Sequence, residues 1–278
     1  MQVYVGVDCG GTWTRVGKMN LKKEIVEEVK FPSLSSLSGK VALNLLIKKI
    51  TEVVGDDEVL GIGIALCGVV VNDTLSACSN LPALVHYPIK EELQKAFKVP
   101  VYLDNDANTA ALCEAMLGSG KEFESVYYLT FSTGAGGAYV LHQQVVAGSH
   151  GCAGEISFLP LKDDFCGNDF TGKAIERRGN RSTKEVFEGY GKDEVCTSII
   201  EDVIEKIGAV LACISLVIDP DVIILSGGMM ASLSKLMNKL EESYEAKIIE
   251  GMKAELRYAM FDEPGVLGAA LLGMSRKG

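Results

Sequence analysis

An α/β protein made of two related lobes is what this sequence predicts, and three observations lead there. The 278-residue chain is longer than one compact core usually spans. Stretches of strand alternation take turns with stretches of helical spacing along its whole length. A strand, a glycine-rich turn and a second strand open the chain, and the same order of elements returns from Ser125 onward. The identity between the two copies is too low for a sequence repeat, so the duplication is one of structure.

The elements follow from local pattern. Residues 2–7, QVYVGV, alternate as a β-branched strand; DCGG turns the chain and TWTRVGKM returns it as a hairpin. A third strand is expected around Glu24 to Phe31. A helix is expected near Lys40 to Val54, where Leu43, Leu46, Ile47 and Ile50 recur at helical spacing. VLGIGIAL reads as a buried strand and a loop holding SNLPAL follows. Pro88 to Phe97 is a short amphipathic helix, and the strand VPVYL then runs into DNDANTAALCEAML, where strand becomes helix. The second copy is VYYLTF, STGAGG and AYVL. Beyond it come a long helix over 193–218, the strand DVIILSGG, a helix from Met229 to about Ile249, the strand AELRYAM, and a closing helix in PGVLGAALLGM. No long linker or low-complexity tract divides the chain.

Composition narrows the possible roles. With 47% hydrophobic and 23% charged residues the chain is an ordinary globular one. No apolar run approaches the roughly 20 residues of a bilayer-spanning helix, so no membrane partner is expected. MQVYVGVDCGG lacks a basic leader followed by an apolar segment, so the expected location is the cytoplasm. Eight cysteines are scattered without a C-x-x-C pair, which suggests neither a disulfide framework nor a zinc ribbon, and most are expected to be buried small hydrophobes. A formal charge of -10 opposes general binding to nucleic acid, although backbone N–H groups and a divalent cation still hold a nucleotide without entering the charge count.

Three glycine-rich junctions are the candidates for such a site. In the first hairpin turn, Asp8-Cys9-Gly10-Gly11-Thr12-Trp13-Thr14-Arg15, the glycines let backbone N–H groups approach an anion. There Asp8 is suited to hold magnesium through water, and Thr12 or Arg15 to contact phosphate. A plain Asx-Gly hairpin turn explains the same residues about equally well when they are taken alone. The second turn, Ser132-Thr133-Gly134-Ala135-Gly136-Gly137, repeats the design, and two such turns in equivalent positions are harder to assign to turn chemistry. The third junction, Leu225-Ser226-Gly227-Gly228-Met229, allows backbone to pass close to an adenine or ribose; a strand-to-helix turn is the competing reading. None matches the G-x-x-x-x-G-K-[ST] phosphate loop.

Taken in order, D-x-G-G-T at 8–12, N-D-A-N at 105–108, T-G-x-G-G at 133–137, A-G-E-I at 153–156 and L-S-G-G at 225–228 resemble the ROK family of repressors, open reading frames and kinases. That family sits within the hexokinase, heat-shock-70 and actin superfamily, and the resemblance spans nearly the whole chain. It implies two ribonuclease-H-like (actin-like ATPase) lobes with a central interlobe cleft, one of 1–107 plus 262–278 and the other of 108–261, closing about a hinge. It implies a glucokinase-like enzyme that uses ATP and Mg2+ to phosphorylate a hydroxyl of a small sugar, of the hexose or N-acetylhexosamine class, and works as a homodimer. Asp106 then matches the general base, and Asn80, Asn105 and Glu155 match residues that hydrogen-bond sugar hydroxyls. Asp8, Gly10, Gly11, Thr12, Thr14, Arg15, Thr133, Gly134, Gly136, Gly137, Gly227 and Gly228 are assigned to ATP and its metal.

The chain departs from the family where E-x-G-H becomes Glu155-Ile156-Ser157-Phe158 and the cysteine-rich zinc segment keeps only Cys166. No structural zinc is expected, since one cysteine and no histidine cannot build a four-coordinate site. The departure bears on which sugar is chosen more than on phosphoryl transfer. A repressor would carry a helix-turn-helix before D-x-G-G-T, yet seven residues precede Asp8. A catalytically altered sugar-binding ATPase or sensor of the same fold is the remaining alternative.

Overall fold

The computed structural model describes residues 1–161, 164–165 and 167–275. The chain divides into two compact units, one of Met1–Leu117, Gln143–Ala153 and Glu263–Gly278, the other of Gly118–His142 and Gly154–Asp262.

In the first unit the opening hairpin is β1 (Gln2–Cys9) and β2 (Trp13–Asn20), followed by β3 (Ile25–Pro32), helix α1 (Gly39–Val54) and β4 (Glu58–Leu66). A small hairpin, β5 (Val69–Val71) and β6 (Thr74–Ala77), leads to α2 (Ile89–Phe97), β7 (Val101–Asn105) and α3 (Asp106–Leu117). The sheet order is β3-β2-β1-β4-β7, antiparallel across β3, β2 and β1 and parallel across β1, β4 and β7. The registers Asp8↔Ala65 and Leu66↔Asn105 bring the carboxyl ends of the three parallel strands to one edge, the edge where α/β folds place function.

Strand alternation gives the sheet two different faces. Val5, Val7 and Cys9 of β1 join Ile62, Ile64 and Leu66 of β4 in a core with Leu43, Leu46 and Ile50 of α1. The opposite face is paved with glycine, and on it lies the closing helix, Gly265–Ser275. A Cβ at Gly6 would fall 2.0 Å from the Val266 carbonyl oxygen, and one at Gly63 only 1.8 Å from that of Ala269. The helix therefore rests directly on sheet backbone. It reaches α3 as closely: a Cβ at Gly268 would meet the Thr109 carbonyl oxygen at 2.2 Å. This packing keeps α3 with the first unit, so the division falls after α3, not at residue 107.

The second unit repeats the arrangement. β8 (Ser125–Phe131) pairs antiparallel with β9 (Ala135–Leu141) and parallel with Val222–Ser226, which pairs parallel with Glu255–Tyr258. Relative to β2, β1, β4 and β7, the order and the strand directions are the same, so the duplication seen in the sequence is carried by topology. The long helix, Glu194–Ile218, starts where Asp193 accepts the Cys196 N–H and ends at Asp219 in the left-handed region. Its Ile200, Val203, Ile207 and Leu211 form a core with Leu129, Phe131, Ile223 and Leu225. One expected helix differs: 229–249 is broken into Met230–Leu233, a 3-10 turn at Ser234–Leu236, and Met237–Glu245. Leu236 leaves the helical region at φ -120, ψ 19 after two serines that favour the helix weakly.

Gly63→Ala is expected to lower stability by about 1–3 kcal/mol, the usual cost of overpacking a filled contact. Gly134→Ala, where a Cβ meets nothing within 4 Å, should fall well below that cost. Urea midpoints compare the two, and a Gly63→Ala midpoint equal to wild type would refute backbone contact between helix and sheet.

Candidate active site

The first unit gathers Asp8, Asn80, Asn105 and Asp106 at the carboxyl edge of its parallel strands. Asp8 is half-buried near the end of β1, and a Cβ on Gly265 would lie 2.4 Å from its Oδ2, so the carboxylate sits against the start of the closing helix. Its pKa is raised to about 6, chiefly by burial; Arg15 opposes the rise, while Asp106, Glu28 and Glu263 add to it. Arg15, opposite Asp8 in the hairpin register, donates from both terminal nitrogens to Glu263, at 2.6 and 2.8 Å. The guanidinium expected to meet phosphate is thus committed to a bidentate carboxylate pair, and Glu263 is a member of the site that the sequence reading missed.

Thr14 was grouped with the nucleotide contacts, but β2 turns its side chain into the core with no exposed surface, and its hydroxyl is the buried polar atom without a partner among the described residues. Gly10, Gly11 and Thr12 form the accessible part of the turn, closed by the Gly10 N–H donating to the Trp13 carbonyl at 3.0 Å. Asn80 lies over this turn: a Cβ on Gly11 would stand 3.0 Å from its Nδ2.

Asp106 is exposed at the first position of α3. Its neighbour Asn105 is fixed in both directions, with Nδ2 donating to the Gly68 carbonyl at 2.7 Å and Oδ1 accepting the Ala107 N–H at 2.8 Å. Below them the buried Asp104 accepts from the Asn105 N–H at 2.8 Å and from Asn108 Nδ2 at 2.6 Å. Gly68, at the base of the β5–β6 hairpin, is a second participant that the sequence reading missed. The signal was there: VVVNDTL is a β-branched run broken by an Asn-Asp turn, and Asn72 and Asp73 both take positive φ, 51° and 56°.

The second unit supplies Thr133, Gly134, Gly227, Gly228 and Glu155. The turn Ser132–Gly134 is braced by the start of helix Gly172–Gly179, whose Gly172 and Lys173 N–H groups donate to the Ser132 and Thr133 carbonyls at 2.8 and 3.2 Å. Gly227 takes φ 95, and a Cβ there would strike the Phe131 carbonyl oxygen at 2.1 Å, so only glycine allows this turn beside the end of β8. Gly228 and Gly134 are unlike it, with nothing within 4 Å of a Cβ. Both turns border a cavity of about 470 Å³, whose lining includes Ser132, Thr133, Lys173, Thr183, Gly228 and Ser232.

Gly137 is required by packing. It is buried in β9, and a Cβ there would lie 2.3 Å from the Gly154 carbonyl oxygen and 2.4 Å from Tyr127 Oη. The absent side chain leaves room for the Tyr127 hydroxyl to donate to the Gly154 carbonyl. Gly136 is half-buried in the same strand, opposite Thr130. Glu155 follows Gly154, half-buried, and burial pushes its carboxyl above the usual range while the Ser157 hydrogen bonds hold it back. Among the described residues no three or more His, Cys, Asp and Glu side chains gather to hold a metal ion. Phe158 is 65% exposed, and Cys166 lies outside the described residues. Of the other described cysteines Cys9, Cys113 and Cys196 are buried, Cys67 and Cys78 half-buried, and Cys152 and Cys213 exposed.

A model of the ROK family matches residues 4–276. The chain is 29% identical to an N-acetyl-D-glucosamine kinase of Histophilus somni, over 99% of this chain and 100% of that one. It is 25% identical to a glucokinase of Halalkalibacterium halodurans, over 97% and 94% respectively. Among solved structures, a ROK hexokinase from Thermus thermophilus matches with a TM-score of 0.89 at 28% identity, covering 98% of each chain. With its two copies of one strand order, its glycine turns and a family match over nearly its whole length, the chain belongs to the ROK family.

Proposed function

We propose that this chain is an ATP-dependent sugar kinase, transferring the γ-phosphoryl group of ATP to a hydroxyl of a hexose or N-acetylhexosamine. The observation that carries the reading is the exposed Asp106 carboxylate beside an Asn105 amide locked in orientation. Asp106 takes the proton of the acceptor hydroxyl as its oxygen attacks the γ-phosphorus and ADP leaves. Such transfer is catalysed mainly by alignment and charge stabilisation, which suits one placed carboxylate among fixed hydrogen-bonding groups. Asn80, Asn105 and Glu155 read the sugar hydroxyls, since an amide both donates and accepts while a carboxylate accepts from neighbouring hydroxyls.

The nucleotide reading rests on the 470 Å³ cavity and on Gly134 and Gly228, where neither backbone conformation nor a protein neighbour demands glycine. Space left open on glycine backbone suits phosphate and ribose, and Lys173 and Lys184 bring positive charge to the cavity. Asp8, whose carboxyl pKa is raised by burial and by the neighbouring Asp106, supplies an oxygen donor that fits magnesium shared with phosphates. Bound there, magnesium would neutralise charge on the phosphates. No helix among the described residues is long and apolar enough to cross a membrane. A homodimer is carried by the family resemblance.

Three outcomes are expected. Asp106→Asn should keep ATP and sugar affinity within several-fold and lower kcat by about 100-fold or more, the usual contribution of a general base; near wild-type turnover across a sugar panel, assayed by ADP release, removes Asp106 from the role. Sugar-independent ADP release at the same rate would favour the ATPase reading instead. Gly228→Val should raise the KM for ATP about tenfold with sugar binding retained, since a side chain then fills the cavity wall; equal loss of both would mean general distortion.

Asp8 gives a pH-dependent outcome. A carboxyl raised on folding contributes stability that is fully present below its unfolded pKa, about 4, and lost as pH rises through about 6. Asp8→Asn should therefore be more stable than wild type at pH 8, with the gap closing as pH falls from 6 towards 4, while its turnover is impaired. A gap independent of pH in urea unfolding would rule out a buried charge as its source.

A further inference from the structure

The β5–β6 hairpin is bracketed by two cysteines that the phosphoryl-transfer reading does not use. Cys67 precedes Gly68, and Cys78 follows β6. Their sulfurs lie 3.9 Å apart, and both side chains are half-buried. The Cys78 thiol donates to the Cys67 carbonyl at 2.6 Å and accepts the Leu81 N–H at 3.2 Å. Glycine at 68 lets the chain after Cys67 pass close to Cys78: a Cβ there would fall 2.9 Å from the Cys78 Cβ. The pair also borders the acceptor half of the site. Asn80 Nδ2 lies 4.0 Å from Cys67 Sγ, and the Gly68 carbonyl holds Asn105. At its other end the hairpin is tied to β7, with Asp73 accepting the Leu103 N–H at 2.9 Å.

We propose that Cys67 and Cys78 form a reversible redox site, closed to a disulfide by a low-molecular-weight disulfide, that weakens binding of the sugar acceptor. The effect on the acceptor rests on the kinase reading; formation of the bond does not. Cys78, whose sulfur already accepts the Leu81 N–H, opens the exchange. Its thiolate attacks one sulfur of the oxidant and releases one thiolate, leaving a mixed disulfide on Cys78. The released thiolate takes the Cys67 proton, and Cys67 sulfur attacks Cys78 Sγ and expels the second half of the oxidant. Two protein thiols become one disulfide, and one oxidant disulfide becomes two thiols.

Closure draws the sulfurs from 3.9 Å to about 2 Å. The Cys78 sulfur must then leave the Cys67 carbonyl and turn from the Leu81 N–H. Both movements act on the chain that carries Asn80 and on the Gly68 carbonyl that orients Asn105. The nucleotide half-site in the second unit shares none of these contacts.

The test uses the full chain with Cys152→Ser and Cys213→Ser, which removes the two exposed thiols among the described residues, titrated with oxidised glutathione. Expected are a mass loss of about two hydrogens, as thiol–disulfide exchange requires, and a linked peptide joining Cys67 to Cys78. Hydrogen exchange across residues 68–80 should slow. The acceptor KM should rise about tenfold, the loss of one well-placed hydrogen bond, with the ATP KM unchanged and dithiothreitol restoring both mass and KM. Cys78→Ser in the same background should keep basal activity and show none of these responses. Absence of the Cys67–Cys78 link overturns the proposal, and so does a link that leaves the acceptor KM unmoved. Should the reduced protein phosphorylate no sugar, the kinase reading fails; the redox effect on the acceptor falls with it, while linked peptide and exchange data still decide whether the thiol site exists.

Discussion

The constraint on which the first unit depends is the direct contact between the closing helix and the backbone of the sheet. Glycine at 6 and 63 removes the side chains that would hold helix and sheet apart, and the spacing set by ordinary side chains gives way to van der Waals contact between sheet backbone and helix carbonyl oxygens. The charged groups at the sheet edge are positioned from this helix. Its first residue touches Asp8, the residue two before it pairs with Arg15, and its fourth meets the backbone of the helix that begins with Asp106. A small shift of the closing helix therefore moves the proposed metal ligand, its counter-charge and the proposed base together.

That contact also explains an apparent waste of stability. Asp8 is held where burial raises its pKa to about 6, with Asp106, Glu28 and Glu263 reinforcing the rise. Arg15 lies opposite and opposes them, yet its guanidinium is spent on Glu263. A carboxylate kept short of compensation is poor for folding but well suited to a cation arriving with phosphates, the usual exchange between stability and function at a site. In the second unit burial raises the carboxyl of Glu155 as well, but there the Ser157 hydrogen bonds hold it back. The turns of that unit are stitched by neutral backbone hydrogen bonds from Gly172, Lys173 and Met229 to the end of β8 and the turn after it. The charge-bearing half and the backbone-cradle half of the proposed chemistry are thus built in different ways on one topology.

The long elements were legible because their periodicity agrees with their burial. The helix expected over 193–218 is Glu194–Ile218, with isoleucine, valine and leucine on the face that meets the sheet, and β1, β4 and β7 lie where β-branched runs put them. Motif spacing located the edges where Asp8, Asp106 and the two glycine turns lie. What was not legible depends on which way a residue faces or on partners distant in sequence. Thr14 and Gly137 sit inside motifs but face the core. Arg15 meets an acid 248 positions away. The Gly68 carbonyl has no side chain to announce it, and the Asn-Asp turn that marks its hairpin in VVVNDTL does not tell which residue that carbonyl meets. The broken helix after Met229 carries neither proline nor glycine to mark the break.

These differences share one cause. The sheets and their helices are set by burial, which repeats along the chain and can be read as pattern, whereas the side chains proposed to meet the acceptor are held, each within its own unit, by loop backbone. Asn105 is oriented by a carbonyl at a hairpin base, Asn80 by its seat on a glycine turn, and Glu155 by a tyrosine hydroxyl that fixes the residue before it. Loops change without disturbing the sheets that carry them, so one fold serves relatives named for glucose and for N-acetylglucosamine. In this chain an exposed phenylalanine follows Glu155 by three residues, where the family resemblance led to an expected histidine. An apolar ring cannot accept a sugar hydroxyl or hold a metal, but it can cover the face of a ring or an acetyl methyl. On the proposed reading, choice among acceptors falls to loop residues such as Asn80 in the first unit and Glu155 in the second, while the strand ends that carry Asp8 and Asp106 serve the phosphoryl chemistry that such acceptors share.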